Sequence, residues 1–335
     1  MDLDGKDTSR LPHVSEACGV VAGEPTHGGH PRSPVLSRRR LGRAGIEVTA
    51  LTLGGAGLGG LYGHVPEQVG VRTVLRAIDL GINYIEGAPV YGECEQRYGK
   101  AFLALGGRPG SLHLCTKVGM HPERSGDYSA AATRWSIEQS LKTLGVTSVD
   151  LVQVHAPDAI DMDAVLAPDG AVSELERMRD EGKLRAIGFA IRGATYHRRA
   201  IASGRFDAIL VHDDFSLVRR TDTAVIQEAA AAGVGVLVGR ALMTGLLAGA
   251  DPMDNERLAS HPDAAAAREW WLWARDRGVP LQAVALQFVM RHPGVSTVVV
   301  GASSPREIEE NVTAATHPLP AGVWDDVEQR MRQPG

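Results

Sequence analysis

Cysteine is scarce in this chain, long apolar runs are missing, and neither sign of charge dominates. Three cysteines stand among 335 residues, Cys18, Cys94 and Cys115, an odd number without metal-ligand spacing. They read as free thiols of a reducing cytoplasm, not as a disulfide framework or a metal site. No apolar stretch approaches the length of a membrane span. The first residues are polar and acidic, which does not match the basic-then-apolar pattern of a secretory signal. Lys and Arg number 35 against 40 Asp and Glu, a net charge of -5. That balance offers no electrostatic footprint for nucleic acid or for a membrane surface. The one dense basic run, Arg38-Arg39-Arg40, is expected to be a solvated turn. Residues 1 to about 36 are rich in Gly, Pro, Ser, His and charge. They are expected to form a disordered extension, or to precede the natural start, with the folded domain at 37–335.

What is present is an alternation, in a chain that is 44% hydrophobic and long enough for one large α/β domain. From about Leu51, short apolar runs recur: LTLGG, NYIEGA, LHLCTKV, DLVQVH, LRAIGFA, FDAILVH, VGVLVG and STVVVG. Between them lie segments with helical spacing, among them VRTVLRAIDLG, TRWSIEQSLKTLG and PREIEENVTAA. Several helices end in Gly, which suits a left-handed turn after the last residue. Eight strands each followed by a helix predict a single closed (β/α)8 barrel from about Leu51 to Ala315. A short hairpin over about Ser37 to Thr49 is expected to cover its base. The competing doubly wound sheet usually opens on a glycine-rich nucleotide loop. Gly55, Gly57 and Gly60 do match that spacing, but the next helical segment starts about ten residues too late. After the seventh strand an insertion runs from Leu247 to Leu281. Its Trp270, Trp271 and Trp273 are expected to pack in the core, with substrate stacking as the alternative.

In such a barrel the chemistry sits at the C-terminal strand ends. The second strand ends in Glu86, with Tyr91 in the turn that follows. The third ends in Lys117 and the fourth in His155. One such residue is ordinarily a satisfied core group; three on one rim beside a tyrosine predict a site. A buried Lys beside Tyr91 is expected to favour phenolate, with Glu86 keeping the Lys charged. His155 is placed to orient a substrate oxygen. Together they make a tyrosine that gives or takes a proton, and any redox step needs a cofactor.

Read in order, "EGAPVYGECE", "TKVG", "DLVQVHAPD", "GKLRAIGFA", "TGLLAG" and "VVVGASSPREIEEN" resemble the aldo-keto reductase superfamily, over about Leu41 to Ala315. They are most similar to its bacterial sugar-dehydrogenase branch, which acts on fucose-, arabinose- or galactose-like sugars. The resemblance implies Tyr91 as general acid/base, Lys117 and Glu86 tuning it, and His155 orienting the substrate. It also implies a nicotinamide cofactor. Gly245 and Leu246 would lie along its pyrophosphate, Ser303 and the following helix N-terminus would hold phosphate oxygens, and Glu310 and Asn311 would meet the adenine.

The sequence departs from the family pattern at several places. Members that prefer the 2'-phosphate cofactor carry a Lys and an Arg where this chain has Ala302 and Glu307. Arg306 is adjacent but turned away by about 100° on a helix. A Glu facing the ribose predicts NAD(H) over NADP(H). The nicotinamide-binding Ser, Asn and Gln are replaced by Ala190, Ile191 and His212, and the stacking aromatic by Gly239. Glu86 stands where the family has Asp. These losses leave two enzyme readings, a nicotinamide-dependent sugar oxidoreductase and a barrel that performs elimination, isomerisation or hydrolysis with the same groups. A cofactor-binding accessory subunit is a third. Tyr62, His64, His121, Tyr128, Asp213, Asp214 and Phe215 are expected to line the substrate pocket.

Overall fold

Each of the eight apolar runs becomes a strand in a computed structural model, which describes residues 35–156 and 159–332. The strands are β1 (Leu51–Gly54), β2 (Tyr84–Glu86), β3 (His113–Val118), β4 (Val149–His155), β5 (Leu184–Ile191), β6 (Ala208–His212), β7 (Gly235–Gly239) and β8 (Thr297–Gly301). All pair in parallel, and β8 pairs with β1 to close the barrel. Closure excludes the doubly wound sheet, and it leaves no open edge to protect. The disordered extension expected over 1–36 falls almost entirely outside the described residues; Leu36 itself is buried.

The strands are apolar on both faces because both are covered. Outward side chains such as Ile85, Val152, Ile187 and Ile209 pack under the helices. Inward ones, among them Tyr84, Cys115, Leu151, Ala186, Leu210 and Leu237, fill the barrel. Helices α1 (Glu67–Asp79), α2 (Cys94–Ala104), α3 (Ala130–Leu144), α4 (Ala171–Asp180), α5 (Ala194–Ser203) and α6 (Thr223–Ala231) follow the first six strands. Local signals set their ends. The Ser129 hydroxyl accepts from the Ala132 N–H at the start of α3, and Gly145 takes up φ 67° after it.

The hairpin pairs Arg38–Arg40 with Glu47–Thr49. Its Leu41, Ala44, Ile46 and Val48 join the inward side chains and plug the base of the barrel. Gly42, at φ 49°, lies so close to β7 that a Cβ there would sit 2.1 Å from the Gly235 nitrogen. The basic run is therefore a strand and not a solvated turn. Arg39 is half-buried and donates to the Val295 carbonyl at 2.7 Å.

The insertion after β7 carries α7 (Ala264–Asp276), which leads into α8 (Leu281–Arg291). With α10 (Val323–Arg332) it builds a second apolar cluster beside the barrel. Trp270 and Trp273 are buried in that cluster, and Trp271 packs against it while donating to the Gly249 carbonyl. The tryptophans serve packing. The last strand leads into α9 (Pro305–Thr316). Among the described residues no helix is long and apolar enough to cross a membrane.

Candidate active site

Glu86, Lys117 and His155 are inward residues at or near the ends of β2, β3 and β4, and the barrel brings them together beside Tyr91. The Lys117 ammonium donates to a Glu86 carboxylate oxygen and, at 3.0 Å, to the Gly87 carbonyl. Both side chains of this ion pair are almost fully buried. The ammonium also lies 4.4 Å from the centre of the Tyr91 ring. The His155 ring meets Tyr91 edge-on, with centroids 5.8 Å apart. Tyr128 braces the end of β4 by donating to the His155 carbonyl at 2.8 Å.

The electrostatics differ from the expected in one respect. Burial raises the Tyr91 phenol well above its ordinary range, with Cys94 and Tyr62 adding to the effect. Burial thus outweighs the nearby ammonium and holds Tyr91 as a neutral phenol. Burial also drives Lys117 well below the ordinary lysine range. The Glu86 carboxylate is the group in contact that holds the charge against that tendency. His155 is pulled down to about 3 by burial, then by the charges of Lys117 and His212. It is a neutral imidazole throughout the neutral range.

A cavity of about 630 Å³ opens over this cluster. Tyr91, Glu86 and His212 line one part of it, and Gly245, Ser303, Glu307, Glu310 and Asn311 another. Of the residues expected at a dinucleotide, only Leu246 fails to face it. Its side chain is buried in the second cluster, so any contact there falls to backbone. Two further expectations change in detail. The Ser303 N–H is already taken, donating at 2.9 Å to the Glu307 carboxylate. The Ser304 hydroxyl accepts from the Glu307 N–H, so α9 is capped from within. Asn311 has both ends of its amide committed, to the Gly301 carbonyl and to Gln282.

The positive charges that line the cavity are Arg240 and Arg257. Both bond to Thr244, Arg240 to its hydroxyl and Arg257 to its carbonyl. Arg240 also shares one oxygen of the buried Asp213 with Arg192 and Arg219, at 3.2 to 3.4 Å. Its Nε is buried without a partner among the described residues. Asp213, Arg240, Met243 and Thr244 are the non-glycine residues with positive φ among those described. All four lie just past β6 and β7, and strained backbone of this kind collects at functional sites.

The family's sequence model for the aldo/keto reductase family matches residues 50–331. The chain belongs to the aldo/keto reductase family. It is 31% identical to an L-galactose dehydrogenase of Arabidopsis thaliana, covering 84% of this chain and 88% of that protein. It is 31% identical to a D-threo-aldose 1-dehydrogenase of a Pseudomonas species, covering 85% and 95%. A solved structure from Pseudomonas aeruginosa assigned as an aldo-keto reductase superposes with a TM-score of 0.64 at 29% identity, covering 83% of this chain and 94% of that one. An aldo/keto reductase with these relatives is an NAD(P)-dependent oxidoreductase.

Several expected pocket residues of this aldo/keto reductase lie elsewhere. Phe215 is buried and stacks on Phe288, His121 packs on Trp135, and His64 is exposed outside the cavity. Asp213 and Asp214 do not line it either, because Asp213 is engaged by the three arginines. Only Tyr62 of that set lines it. Arg240, Arg257 and Thr244 were not anticipated.

The two buried imidazoles predict a pH dependence of stability. His155 is held at about 3, and His212 at about 4 by burial and by Arg240. An unfolded His titrates near about 6.5. As the pH falls through that value the unfolded chain takes up protons that the native state refuses. The stability from neutral burial is thus complete above about 6.5 and is lost progressively toward the native values. Melting temperatures measured from neutral pH downward should fall, and fall less steeply in His155→Gln. Equal slopes for the two proteins would contradict this account.

Proposed function

We propose that the protein is an NAD-dependent dehydrogenase of a sugar or a related hydroxy/carbonyl compound, with Tyr91 as its proton-transfer group. The observation that carries the reading is the single cavity, which joins Tyr91 at one part to Ser303, Glu307 and Asn311 at another. The dehydrogenases of L-galactose and D-threo-aldose among the relatives support the substrate class.

The residues present fit a nicotinamide dinucleotide. Gly54 and Gly57 leave open wall beside β8, where a Cβ on Gly57 would stand 3.2 Å from the Ser303 hydroxyl. With the Ser303 N–H occupied by Glu307, counter-charge for a diphosphate falls to Arg240 and Arg257. The bound nicotinamide would supply the one capacity these side chains lack, the acceptance of a hydride. The protein's part is then positioning and proton movement. His155, neutral and edge-on to Tyr91 but not itself on the cavity wall, would help orient the reacting oxygen. For oxidation Tyr91 first gives its own proton to solvent; as phenolate it then takes the reacting oxygen's proton as the hydride leaves the carbon for the nicotinamide, and in the reverse direction the phenol donates that proton to the carbonyl oxygen. Lys117, against the Tyr91 ring, is the cation that supports a transient phenolate. Glu86 is bonded to Lys117, which favours a supporting role over a second acid/base and hence favours the redox reading.

Titration with NADH, followed by fluorescence, tests the reading, and oxidation of L-galactose with NAD extends it. Absence of NADH binding at millimolar concentration would sink it.

The cofactor preference follows from Glu307. Facing the ribose, its carboxylate would repel a 2'-phosphate by like charge and could accept from a 2'-hydroxyl. Arg306 is turned outward and paired with Glu310 at 2.7 Å. Each missing phosphate contact forfeits about 1.5–3 kcal/mol. Wild-type protein should bind NADH more tightly than NADPH, and Glu307→Arg should narrow or invert that ratio. Tighter NADPH binding by the wild type would refute the preference.

A further inference from the structure

Arg97 is a fully buried arginine that the chemistry above does not use. It lies on α2 at 2% exposure, and one of its terminal nitrogens donates to the Val65 carbonyl and, at 2.7 Å, to Glu93. Its Nε and its other terminal nitrogen have no partner among the described residues. Room for it exists because residue 70 is glycine; a Cβ there would lie 2.5 Å from the Arg97 Cδ and 2.9 Å from Nε. A buried cation with unmet donors is costly, and a methionine of similar volume would fill the space without that cost. The arginine therefore calls for a role that packing alone does not supply.

That role is indicated by what Val65 belongs to. Residues 59–65 form the loop after β1. At its start, the Glu93 N–H donates to the Gly59 carbonyl at 3.1 Å. Gly59 is pressed against the Tyr91 turn so closely that a Cβ would fall 1.7 Å from the Tyr91 carbonyl oxygen. At its end, the loop is held by Arg97. Between the two anchors it projects Leu61 and Tyr62 into the cavity, 53% and 60% exposed. These are among the few large apolar side chains exposed in the described residues, and they stand beside Tyr91.

We propose that Arg97 is a positioning residue, which pins the loop after β1 so that Tyr62 and Leu61 form a fixed apolar wall for the substrate ring next to Tyr91. The inference rests on the sugar reading for the identity of the ring, but not for the anchoring itself. An apolar wall of this kind meets the C–H face of a sugar, while the polar groups at the strand ends meet its hydroxyls. Fixing the wall before binding spares the substrate the cost of ordering it. Arg97 touches no substrate and works only through the loop.

Arg97→Met and the milder Arg97→Lys, with Tyr62→Ala and the double variant Arg97→Met/Tyr62→Ala, test this on the full chain. Chymotrypsin cleavage after Leu61 and Tyr62, mapped by mass spectrometry, reads the anchoring without reference to activity. It should accelerate about tenfold in Arg97→Met, because a local opening then suffices for cleavage, and less in Arg97→Lys. The KM for L-galactose should rise about tenfold in Arg97→Met, as expected for a displaced contact surface, with a smaller change in kcat. NADH affinity should stay within about twofold, and the double variant should be no worse in KM than Tyr62→Ala alone. Unchanged cleavage in both Arg97 variants would overturn the anchor. Faster cleavage with unchanged KM, additive KM effects, or a parallel loss of NADH affinity would overturn the positioning role. A wild type that binds NADH but leaves L-galactose untouched would overturn the sugar wall, and the cleavage arm would still decide the anchor.

Discussion

Tyr91→Phe should lower kcat by about 10²–10⁴-fold, the range for a lost general acid/base, with NADH affinity nearly unchanged. The separation follows from the geometry. The Tyr91 hydroxyl is the one group in the cluster that combines a transferable proton with a place on the cavity wall. The cation near its ring and the imidazole at its edge remain in place when only the oxygen is removed. Phe keeps the ring, so the packing against Lys117 and His155 is preserved and the fold should not respond. The interaction lost is one that matters while charge develops on the reacting oxygen, so kcat and kcat/KM should fall together. Because burial raises the phenol above its ordinary range, the wild-type rate of oxidation should also climb with pH through the alkaline range. That climb should vanish in the residual activity of the Phe variant. Wild-type kcat in Tyr91→Phe, measured by stopped-flow and steady-state rates, would remove Tyr91 from the proton-transfer role.

How much of this site the sequence disclosed depends on whether a feature is local. The apolar runs, their terminal Glu86, Lys117 and His155, and the turn that carries Tyr91 are each readable within a few residues. Barrel closure then converts three separate strand ends and the turn after one of them into one cluster, because every parallel strand delivers its C-terminus to the same rim. The capping of α9 is also local, since Ser304 and Glu307 have the spacing of a capping box, yet the resemblance assigns Ser303 and this helix N-terminus to phosphate oxygens and Glu307 to the ribose. The competition between a protein carboxylate and a phosphate for one N–H becomes visible only with side-chain positions. The convergence of Arg192, Arg219 and Arg240 on Asp213 was not legible at all. The three come from loops after three different strands, and no spacing rule links them. Phe215 shows the same limit from the other side. A polar, exposed neighbourhood in sequence gave no sign that the ring turns inward to Phe288.

Glu86 should tolerate shortening but not neutralisation. In Glu86→Gln the ammonium of Lys117 keeps the Gly87 carbonyl and loses its one charged partner among the described residues. Leaving one member of a buried pair uncompensated costs about 3–5 kcal/mol, so the variant should melt well below the wild type. The least costly relaxation is loss of the Lys117 proton, a direction in which burial already drives that group. A neutral Lys117 no longer supports charge on Tyr91, and turnover should fall with stability. Glu86→Asp keeps the charge and withdraws it by about 1.5 Å, one C–C bond. The ammonium sits on a flexible stem and can follow, so most activity and most stability should remain. The double variant Glu86→Gln/Lys117→Met separates the two effects. Removing both charges should recover much of the stability lost in the single variant, because no buried charge is then left unpaired. It should recover none of the activity, because the cation beside Tyr91 is then absent. Melting curves and steady-state rates on the three variants decide the matter. If Glu86→Asp is as inactive as Glu86→Gln while remaining as stable as the wild type, the longer reach of Glu86 acts on the substrate itself. The elimination or isomerisation reading would then displace hydride transfer.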